Sequence, residues 1–127
     1  MHLPPVPSVN SMYLRTRYGK QIRTAKAKKW FSEAEAIIRE EIERQHWETT
    51  DCKVIVDVMS HWPDRRRRDT NNLSKALADA LEHAQVYRDD CKALLRYVDY
   101  DVDKENAGVD IVVRRFDEAT DGWKYKE

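Results

Sequence analysis

The sequence predicts an α+β protein in which a small mixed β-sheet packs against two main helices. Segments 27–47 and 70–84 carry apolar residues at three- and four-residue spacing, which is the spacing of a helix with one buried face. Segment 52–61 is rich in β-branched residues, which are typical of strands. The resulting order of helix, strand, helix, strand and strand favours helices packed on a sheet.

The N-terminal segment is predicted to be a proline-rich lead-in followed by a basic arm. Three prolines within residues 3–10 exclude a helix or a central strand there. Residues 11–23 alternate loosely around Gly19 and predict a strand, a hairpin or a partly mobile arm. We treat residues 1–26 as this basic arm, within a single domain that spans residues 1–127.

The remaining strands are predicted from alternation and from turn residues. In segment 52–61, the alternating residues Cys52, Val54, Val56 and Val58 are more apolar than those between them, so this face is predicted to point to the core. Segments 94–102 and 109–115 also have the character of strands. Residues 103–108 between them are turn formers, which predicts a hairpin. Residues 117–127 are predicted to form a flexible tail.

The distribution of charge is more informative than its sum. The formal net charge is zero, so overall charge does not predict a nucleic-acid-binding protein. Residues 1–32 contain no acidic residue, whereas residues 89–121 are rich in aspartate and glutamate. A basic end and an acidic end predict a bipolar surface, with one pole suited to a polyanion and the other to a metal ion or a cationic partner.

Several classes of site are not predicted. Cys52 and Cys91 do not form a CxxC pair, and no set of cysteine and histidine has zinc-site spacing. His46, His61 and His83 are scattered, and the three glycines of the chain leave no glycine-rich phosphate loop. No apolar run approaches the ~18 residues of a membrane span, and no signal-peptide core is recognisable. We therefore expect a cytoplasmic protein that does not contact a membrane.

The segment RRRRDTNNLSKALADAL, which begins at Arg65, raises the question of which anion its four arginines bind. The run lies between a predicted strand and a predicted helix start, where unpaired backbone amides and the helix dipole favour anions. Arginine adds forked donors that match phosphate. Arg65, Arg66, Arg67 and Arg68 are therefore candidates for phosphate binding, and a solvated loop is the alternative.

Acidic residues after this run are candidates for a metal site. Asp69 would cap the predicted helix or bind a metal ion, and Asp89 and Asp90 would form a polar turn or two further ligands. Gathered carboxylates repel one another unless a cation neutralises them. Hard oxygen ligands suit Mg²⁺ or Mn²⁺, which can polarise a phosphate and activate water. Lys75, one turn after Asn71, is either an exposed helix lysine or a cation that stabilises charge on a phosphate.

Together these motifs resemble a known family. RRRRDTNNLSKALADAL followed by VYRDD is similar to the signature of the RusA-type Holliday-junction resolvases, which are common in phages and prophages. PPVPSVNSMY resembles the proline-rich opening of that family with its SxN element. The resemblance implies a homodimeric endodeoxyribonuclease that depends on Mg²⁺, or on Mn²⁺ in its place. Such an enzyme cuts four-way DNA junctions by paired symmetric nicks, and here it would act in recombination and repair inside a bacterial host cell.

The resemblance also implies a role for each matching residue. The catalytic residues would be Asp69, Asp90 and Lys75. The metal ligands would be Asp69, Asn71, Asp89 and Asp90. If branched DNA is the substrate, the four arginines and the basic N-terminal segment, whose charge and interleaved tyrosines suit nucleic acid, would hold the junction arms. The predicted contacts in that segment are Asn10, Tyr13, Arg15, Arg17, Lys20 and Arg23. Asp79 matches an aspartate of the family's helix without an assigned role.

One position departs from the family pattern. Asn71 stands where the family usually has a second aspartate. Asparagine can coordinate through its carbonyl oxygen but brings no charge, which should weaken a hard-cation site. An alternative to an active resolvase is therefore a catalytically weakened or inactive protein that binds junctions. A third hypothesis is a small regulator whose arginines bind an acidic protein.

Overall fold

The computed structural model describes residues 1–125, except for the side chains of Val9, Asn10 and Asn71. Its strands are β1 (His2–Leu3), β2 (Tyr13–Arg15), β3 (Gln21–Arg23), β4 (Val54–Trp62), β5 (Ala93–Val102) and β6 (Gly108–Arg115). Its helices are α1 (Val9–Met12), α2 (Ala25–Arg44), α3 (Ser74–His83) and α4 (Glu118–Asp121). One sheet has the order β1–β6–β4–β5, and β2 pairs with β3 in a separate hairpin. The α+β fold class predicted from the sequence is confirmed.

Strand β4 is a central strand of the larger sheet. It pairs parallel with β5 on one side and antiparallel with β6 on the other. The predicted hairpin between the last two strands is therefore wrong, because β4 lies between them. Their connection passes the end of β4, where the Asp103 N–H donates to the Trp62 carbonyl at 2.9 Å. The reason is burial: β4 is more buried than β5 or β6, and the centre of a sheet removes an apolar strand from water most completely.

The two faces of β4 are both partly buried. Val54, Val56 and Val58 are fully buried and belong to the core, which confirms the predicted inner face for these three valines. The prediction is wrong for Cys52, which lies before the strand and is exposed. Ile55 points to the opposite face and is also fully buried.

The two long helices pack on one face of the sheet. Helix α2 begins after Thr24, whose Oγ1 accepts the Ala27 N–H at 3.1 Å. Helix α3 starts later than the sequence predicts, because a 3₁₀ turn, Thr70–Leu73, precedes it. The helical part of the core consists of Ala27, Trp30, Phe31, Ala34, Ile38, Leu73, Ala76, Leu77, Ala80 and Leu81. Within residues 1–125, no helix combines the length and the apolar character that a bilayer crossing requires.

The C-terminal segment is tied to β6 by an ion pair. The nearly buried Asp121 carboxylate accepts two bonds from Arg114 Nη1 at 2.7 Å. It also accepts the Asp117 N–H at 2.8 Å. Arg114 and then this N–H hold the pKa of Asp121 below its ordinary value. The segment predicted as a tail therefore begins with the short helix α4.

The unit β4–α3–β5 determines where the candidate site residues lie. Because β4 and β5 are parallel, the segment between them must carry the chain back along the sheet. Residues that follow Trp62 lie at the carboxyl end of β4, whereas residues before Ala93 lie at its amino end, beside Val54. A helix of 10 residues such as α3 is about 15 Å long. The two ends of α3 are therefore separate places on the molecule.

Candidate active site and nucleic-acid interface

The arginine loop, residues 63–68, leaves the carboxyl end of β4 and is held by one of its own side chains. Asp64 Oδ1 accepts a bond from Arg68 Nη1 at 2.6 Å and another from the Arg66 N–H at 3.0 Å. Arg68 and then Arg66 lower the pKa of Asp64 to about 2, so this carboxylate is charged at neutral pH. The Arg68 guanidinium also lies 5.4 Å from the centre of the Trp62 ring. The other arginines of the loop are exposed.

A wide cleft of about 1460 Å³ opens beside this loop. All four arginines line it, together with Asp69, Lys26 and the proline-rich segment 5–8. Cations gathered around one cleft produce a positive local field, and arginine matches phosphate by paired hydrogen bonds. The cleft therefore has the chemistry and the volume to accept a phosphodiester backbone.

Asp69 and Lys75 lie near the start of α3. The Asp69 carbonyl accepts the Asn72 N–H at 3.2 Å and opens the 3₁₀ turn. Asp69 is not the residue that caps α3, since that position is Leu73, which makes no side-chain cap. The Lys75 Nζ atom lies 4.9 Å from the centre of the Tyr13 ring. The ammonium group therefore stands at the base of the β2–β3 hairpin.

An acidic cluster, Glu82, Asp89 and Asp90, lies at the other end of α3. One carboxylate oxygen from each residue lies within 4.8 Å of the other two. Glu82 Oε1 accepts the Asp90 N–H at 3.0 Å, and Asp89 Oδ1 accepts the Cys91 N–H at 2.9 Å. The hydrogen bond from the Cys91 backbone is the main reason that the pKa of Asp89 is below its ordinary value. These bonds hold three hard oxygen donors together.

Tyr87 lies under this cluster and is fully buried. Its hydroxyl donates to the Ala78 carbonyl at 2.7 Å. Burial, and then the negative charges of Asp90, Glu82 and Asp79, raise the pKa of Tyr87 above its ordinary value. The tyrosine is therefore neutral, and it is the buried residue beneath the acidic cluster.

Of the predicted metal ligands with described side chains, Asp89 and Asp90 are brought together, whereas Asp69 lies apart from them within one chain. Asp69 lines the cleft at the carboxyl end of β4. Asp90 comes just before β5, whose first residue pairs with Val54 at the amino end of β4. Asp69 does not belong to the group of carboxylates that meets around Asp90 among the described side chains. The cause is the parallel pairing of β4 and β5, which makes α3 separate the two aspartates.

The β2–β3 hairpin divides the DNA-binding residues predicted in the arm. Tyr13 and Arg23 are half-buried at its base, where the Arg23 guanidinium lies 3.8 Å from the centre of the Phe31 ring. The exposed members are Arg15, Arg17 and Lys20. Asn10, predicted to bind DNA, and Asn71, predicted to bind the metal, have side chains outside the described part of the structure. Of the strand, the hairpin and the partly mobile arm that the sequence left open around Gly19, the structure has the hairpin, with Gly19 at a φ of 78°.

Comparison with known proteins decides the family. A family model described as "Endodeoxyribonuclease RusA" matches residues 2–114. The chain belongs to the RusA family. The resemblance drawn from the arginine run and from the Asp89–Asp90 pair is thereby confirmed.

Individual relatives of this RusA-family chain come from bacteria and from a phage. A protein of Aquifex aeolicus named "Crossover junction endodeoxyribonuclease RusA" is 30% identical over 112 residues, which is 88% of this chain and 86% of that protein. A protein of the same name from Enterobacteria phage HK97 is 37% identical over 89 residues, which is 69% of this chain and 70% of the relative. Another from Escherichia coli K12 is 47% identical over 51 residues, or 40% of this chain and 39% of that protein.

Two groups in this RusA-family chain escape prediction from the sequence. Glu82 lies near the end of a predicted helix, and nothing in the sequence distinguishes it from an ordinary solvent-facing glutamate. His61 has no partner at local spacing, but in the structure both of its ring nitrogens contact carboxylates, those of Asp101 and Asp110. Those partners come from two other strands, so no spacing along the chain could have revealed them.

Proposed function

We propose that this chain is a metal-dependent endodeoxyribonuclease that binds four-way DNA junctions and resolves them by paired, symmetric hydrolysis of phosphodiester bonds. It would act in recombination and repair in the cytoplasm of a bacterial host cell. The observation that carries the proposal is the match to the endodeoxyribonuclease RusA family across residues 2–114. The relatives named crossover junction endodeoxyribonucleases supply the substrate class.

The arginine loop is proposed to bind the phosphates of the DNA backbone. Its exposed arginines line the cleft that also contains Asp69, so a DNA strand held by the loop would pass close to that carboxylate. Arg68 has a second task, because its bond to Asp64 holds the loop in place. Binding through several phosphates releases counterions, so we expect affinity to fall steeply as salt rises.

A homodimer would reconcile the separation of Asp69 from Asp90 with a shared site. The two residues lie before and after α3, which is about 15 Å long, whereas ligands of one Mg²⁺ lie about 2 Å from the ion. A two-fold axis can place the Asp69 end of each copy against the Asp90 end of the other, which produces two equivalent sites. Two sites related by a two-fold axis suit paired cuts in a substrate of the same symmetry.

The residues present fit a hard divalent cation. Asp69 and Asn71 would come from one copy, and Asp89 and Asp90 from the other. Glu82 adds a carboxylate to the second set, and oxygen donors of this kind suit Mg²⁺ and Mn²⁺. When bound, the ion would polarise the scissile phosphate and activate a water molecule.

The protein's own groups would position the phosphate and stabilise its charge. Lys75, near the start of α3, would offset the negative charge that develops on the phosphate oxygens. Tyr13, whose ring lies against the Lys75 ammonium, would limit the positions that this long side chain can take. The arginine loop would fix the strand so that the scissile phosphate stays in place.

A synthetic four-way junction incubated with Mg²⁺ or Mn²⁺ tests the activity. We expect paired nicks with either ion and none without one. Asp90→Asn should abolish nicking while junction binding stays intact or becomes tighter. Asp99→Asn, which neutralises an exposed carboxylate of β5, is the matched control and should nick normally. Unchanged nicking by Asp90→Asn would remove Asp90 from the site.

A mixture of two inactive variants tests the site shared between copies. Asp69→Asn and Asp90→Asn should each be inactive alone. In a mixed dimer, one site carries both substitutions and the other carries neither, so nicking should return, with a single nick per junction. If each chain held a complete site of its own, the mixture would stay inactive.

A junction-binding protein with little or no nuclease activity is the second candidate function. The observation in its favour is Asn71, which removes one negative charge from the proposed ligand set. It predicts tight binding to the junction with no nicking in Mg²⁺ or Mn²⁺. Nicking by the unmodified protein in either metal would exclude the inactive form of this candidate.

A further inference from the structure

The β2–β3 hairpin exposes more apolar surface than its folding requires. Tyr18 near its tip is 90% exposed, and Leu14 and Ile22, which face each other across the two strands, are 58% and 42% exposed. Single exposed apolar side chains are ordinary. Three exposed apolar side chains on one short hairpin are more than ordinary, and exposed apolar surface of this kind often marks a binding site.

The tip of the hairpin is closed by hydrogen bonds on both sides of Tyr18. The Gly19 N–H donates to the Thr16 carbonyl at 2.9 Å, and the Thr16 N–H donates to the Lys20 carbonyl at 2.7 Å. The Lys20 N–H donates to Thr16 Oγ1 at 3.0 Å. Because these bonds already fix the turn, less conformational entropy is lost when the Tyr18 side chain binds a ligand.

The base of the hairpin is anchored beside the lysine that we place in the active site. The Lys75 Nζ atom lies 4.9 Å from the Tyr13 ring centre. Arg23, the cross-strand partner of Tyr13, packs over Phe31 and lies 4.0 Å from Asp79. The exposed tip therefore extends from the end of α3 at which we expect the DNA strand to be cut.

The charge around the tip favours DNA as its occupant. Arg15, Arg17 and Lys20 are exposed around Tyr18, and residues 1–32 contain no acidic side chain that would oppose a phosphate. An aromatic side chain among cations is a common arrangement for unpaired bases, because the ring stacks while the cations bind the backbone. Apolar side chains can also wedge between base steps. The bases at the centre of a branched molecule can offer an open face, which the stacked bases of linear duplex do not.

We propose that Tyr18 is a specificity-determining residue that stacks on a base exposed at the branch point, while Arg17 and Lys20 contact the flanking phosphates. The proposal rests on the proposed junction-resolving function and deepens it, because it names the contact that distinguishes a branched from a linear substrate. The arginine loop binds phosphates, which both substrates have. The tip of the hairpin would bind a base that is exposed in the junction and stacked in the linear duplex.

Binding measured without a divalent metal tests the proposal with the full-length protein. The substrates are a four-way junction with 2-aminopurine at the branch point and a linear duplex of equal length. We expect Tyr18→Ala to lose about tenfold in junction affinity, since one stacked base contributes roughly that factor or more, and to keep its duplex affinity. We expect the unmodified protein to change the 2-aminopurine fluorescence and Tyr18→Ala to leave it nearly unchanged. Tyr18→Phe, which keeps the ring, should behave as the unmodified protein does.

Tyr125→Ala is the matched control, because Tyr125 is an exposed tyrosine outside the hairpin; it should alter neither affinity. An unchanged ratio of junction to duplex affinity in Tyr18→Ala would overturn the proposal while nicking by the unmodified protein still supports the proposed function. Absence of both junction preference and nicking in the unmodified protein would instead overturn the proposed function itself. A lower molecular mass of Tyr18→Ala in sedimentation would place the tip against a second copy of the chain and would also overturn the proposal.

Discussion

The Nδ1 atom of His61 lies 2.6 Å from the Oδ1 atom of Asp101. The other ring nitrogen, Nε2, lies 2.7 Å from Asp110 Oδ2, and Asp110 Oδ1 in turn lies 2.8 Å from His2 Nδ1. These four residues, the histidine clasp, come from β4, β5, β6 and β1. The clasp therefore joins all four strands of the sheet at the end from which the arginine loop leaves.

The histidine clasp predicts that stability falls as pH rises above neutrality. A neutral imidazole has one N–H, so only protonated His61 can donate to Asp101 and Asp110 together. These two bonds raise the pKa of His61 above its ordinary value of 6.5, against the opposing effect of burial. When folding raises the pKa of a histidine, its protonation stabilises the fold. That contribution is fully present below the pKa of the unfolded state and is lost as pH rises through the pKa of the folded state. The free energy of unfolding contributed by His61 should therefore decrease from about pH 6 to about pH 9.

Urea unfolding of the unmodified protein and of His61→Gln at these two pH values measures that contribution. The stability difference between the two proteins should be larger at the lower pH. His46→Asn is the control, because His46 is exposed and has a positive φ of 54° that asparagine tolerates. It should follow the unmodified protein. An equal stability difference at both pH values would show that the clasp does not depend on the protonation of His61.

Replacement of Gly108 by alanine is predicted to destabilise the fold, because β1 passes directly over this glycine. Its φ is 143°, and an added Cβ would lie 2.2 Å from the Leu3 carbonyl oxygen and 2.8 Å from His2 Nε2. Gly108→Ala should therefore displace β1 and lower the free energy of unfolding by about 2 kcal/mol or more. Gly19→Ala is the matched control, since Gly19 also has a positive φ but open space around it, and should cost only about 1 kcal/mol. Equal losses in urea unfolding would contradict the steric explanation.

Glu82 is predicted to have a structural role and an electrostatic role that can be separated. Glu82→Gln keeps an acceptor for the Asp90 N–H and should leave stability within about 0.5 kcal/mol. It removes one charge from the acidic cluster, so Mn²⁺ affinity, measured by calorimetry, should fall about tenfold. Glu82→Ala should lose the charge and also about 1 kcal/mol of stability. Glu43→Gln, on the exposed surface of α2, is the control and should change neither stability nor Mn²⁺ affinity. Unchanged Mn²⁺ affinity in Glu82→Gln would mean that Glu82 has only the structural role.

The arginine loop is predicted to contain two kinds of arginine. Arg67 is exposed and lines the cleft, so Arg67→Ala should weaken DNA binding and reduce the slope of log affinity against log salt by about 0.9. Its melting temperature should not change. Arg68 is bonded to Asp64 and packs over Trp62, so Arg68→Ala should lower the melting temperature as well. The same loss of thermal stability in both variants would mean that the loop is not organised around Asp64.

The order of the helices and strands could be predicted from the sequence, but their arrangement could not. Periodicity shows which residues are buried, as it did for the valines of β4, because burial of a face is a local property of a strand. It does not show which strand lies beside which. Residues 103–108 have the composition of a tight turn, yet their strands lie on either side of β4, because the buried Ile55 and its neighbours occupy the centre.

The same limit applies to the candidate site. The types of residue at Asp69, Asp89 and Asp90 indicate a hard-cation site, since few other residues suit such an ion. Whether they meet depends on the direction of α3, and parallel pairing of β4 with β5 keeps the ends apart in one chain. Glu82 joins Asp90 through a backbone hydrogen bond, which no side-chain pattern records.

Asn71→Asp is predicted to be a gain-of-function substitution. The added carboxylate would supply the charge that the resemblance to the RusA-type resolvases leads us to expect at this position, and a more negative ligand set binds a hard cation more tightly. We expect the nicking rate at limiting Mg²⁺ to rise about tenfold, with a smaller increase in Mn²⁺. Rates should be measured on one four-way junction across a titration of each metal.

Asn72→Asp is the matched control, because it adds the same charge at the neighbouring position, which is not among the proposed metal ligands. It should not accelerate nicking, and its extra negative charge beside the cleft should weaken DNA binding slightly. If both variants were faster, the added charge would act through the overall field and not through a ligand position. If Asn71→Asp were no faster than the unmodified protein, the asparagine would not be what limits the metal site, and the hypothesis of a weakened nuclease would lose the observation on which it depends.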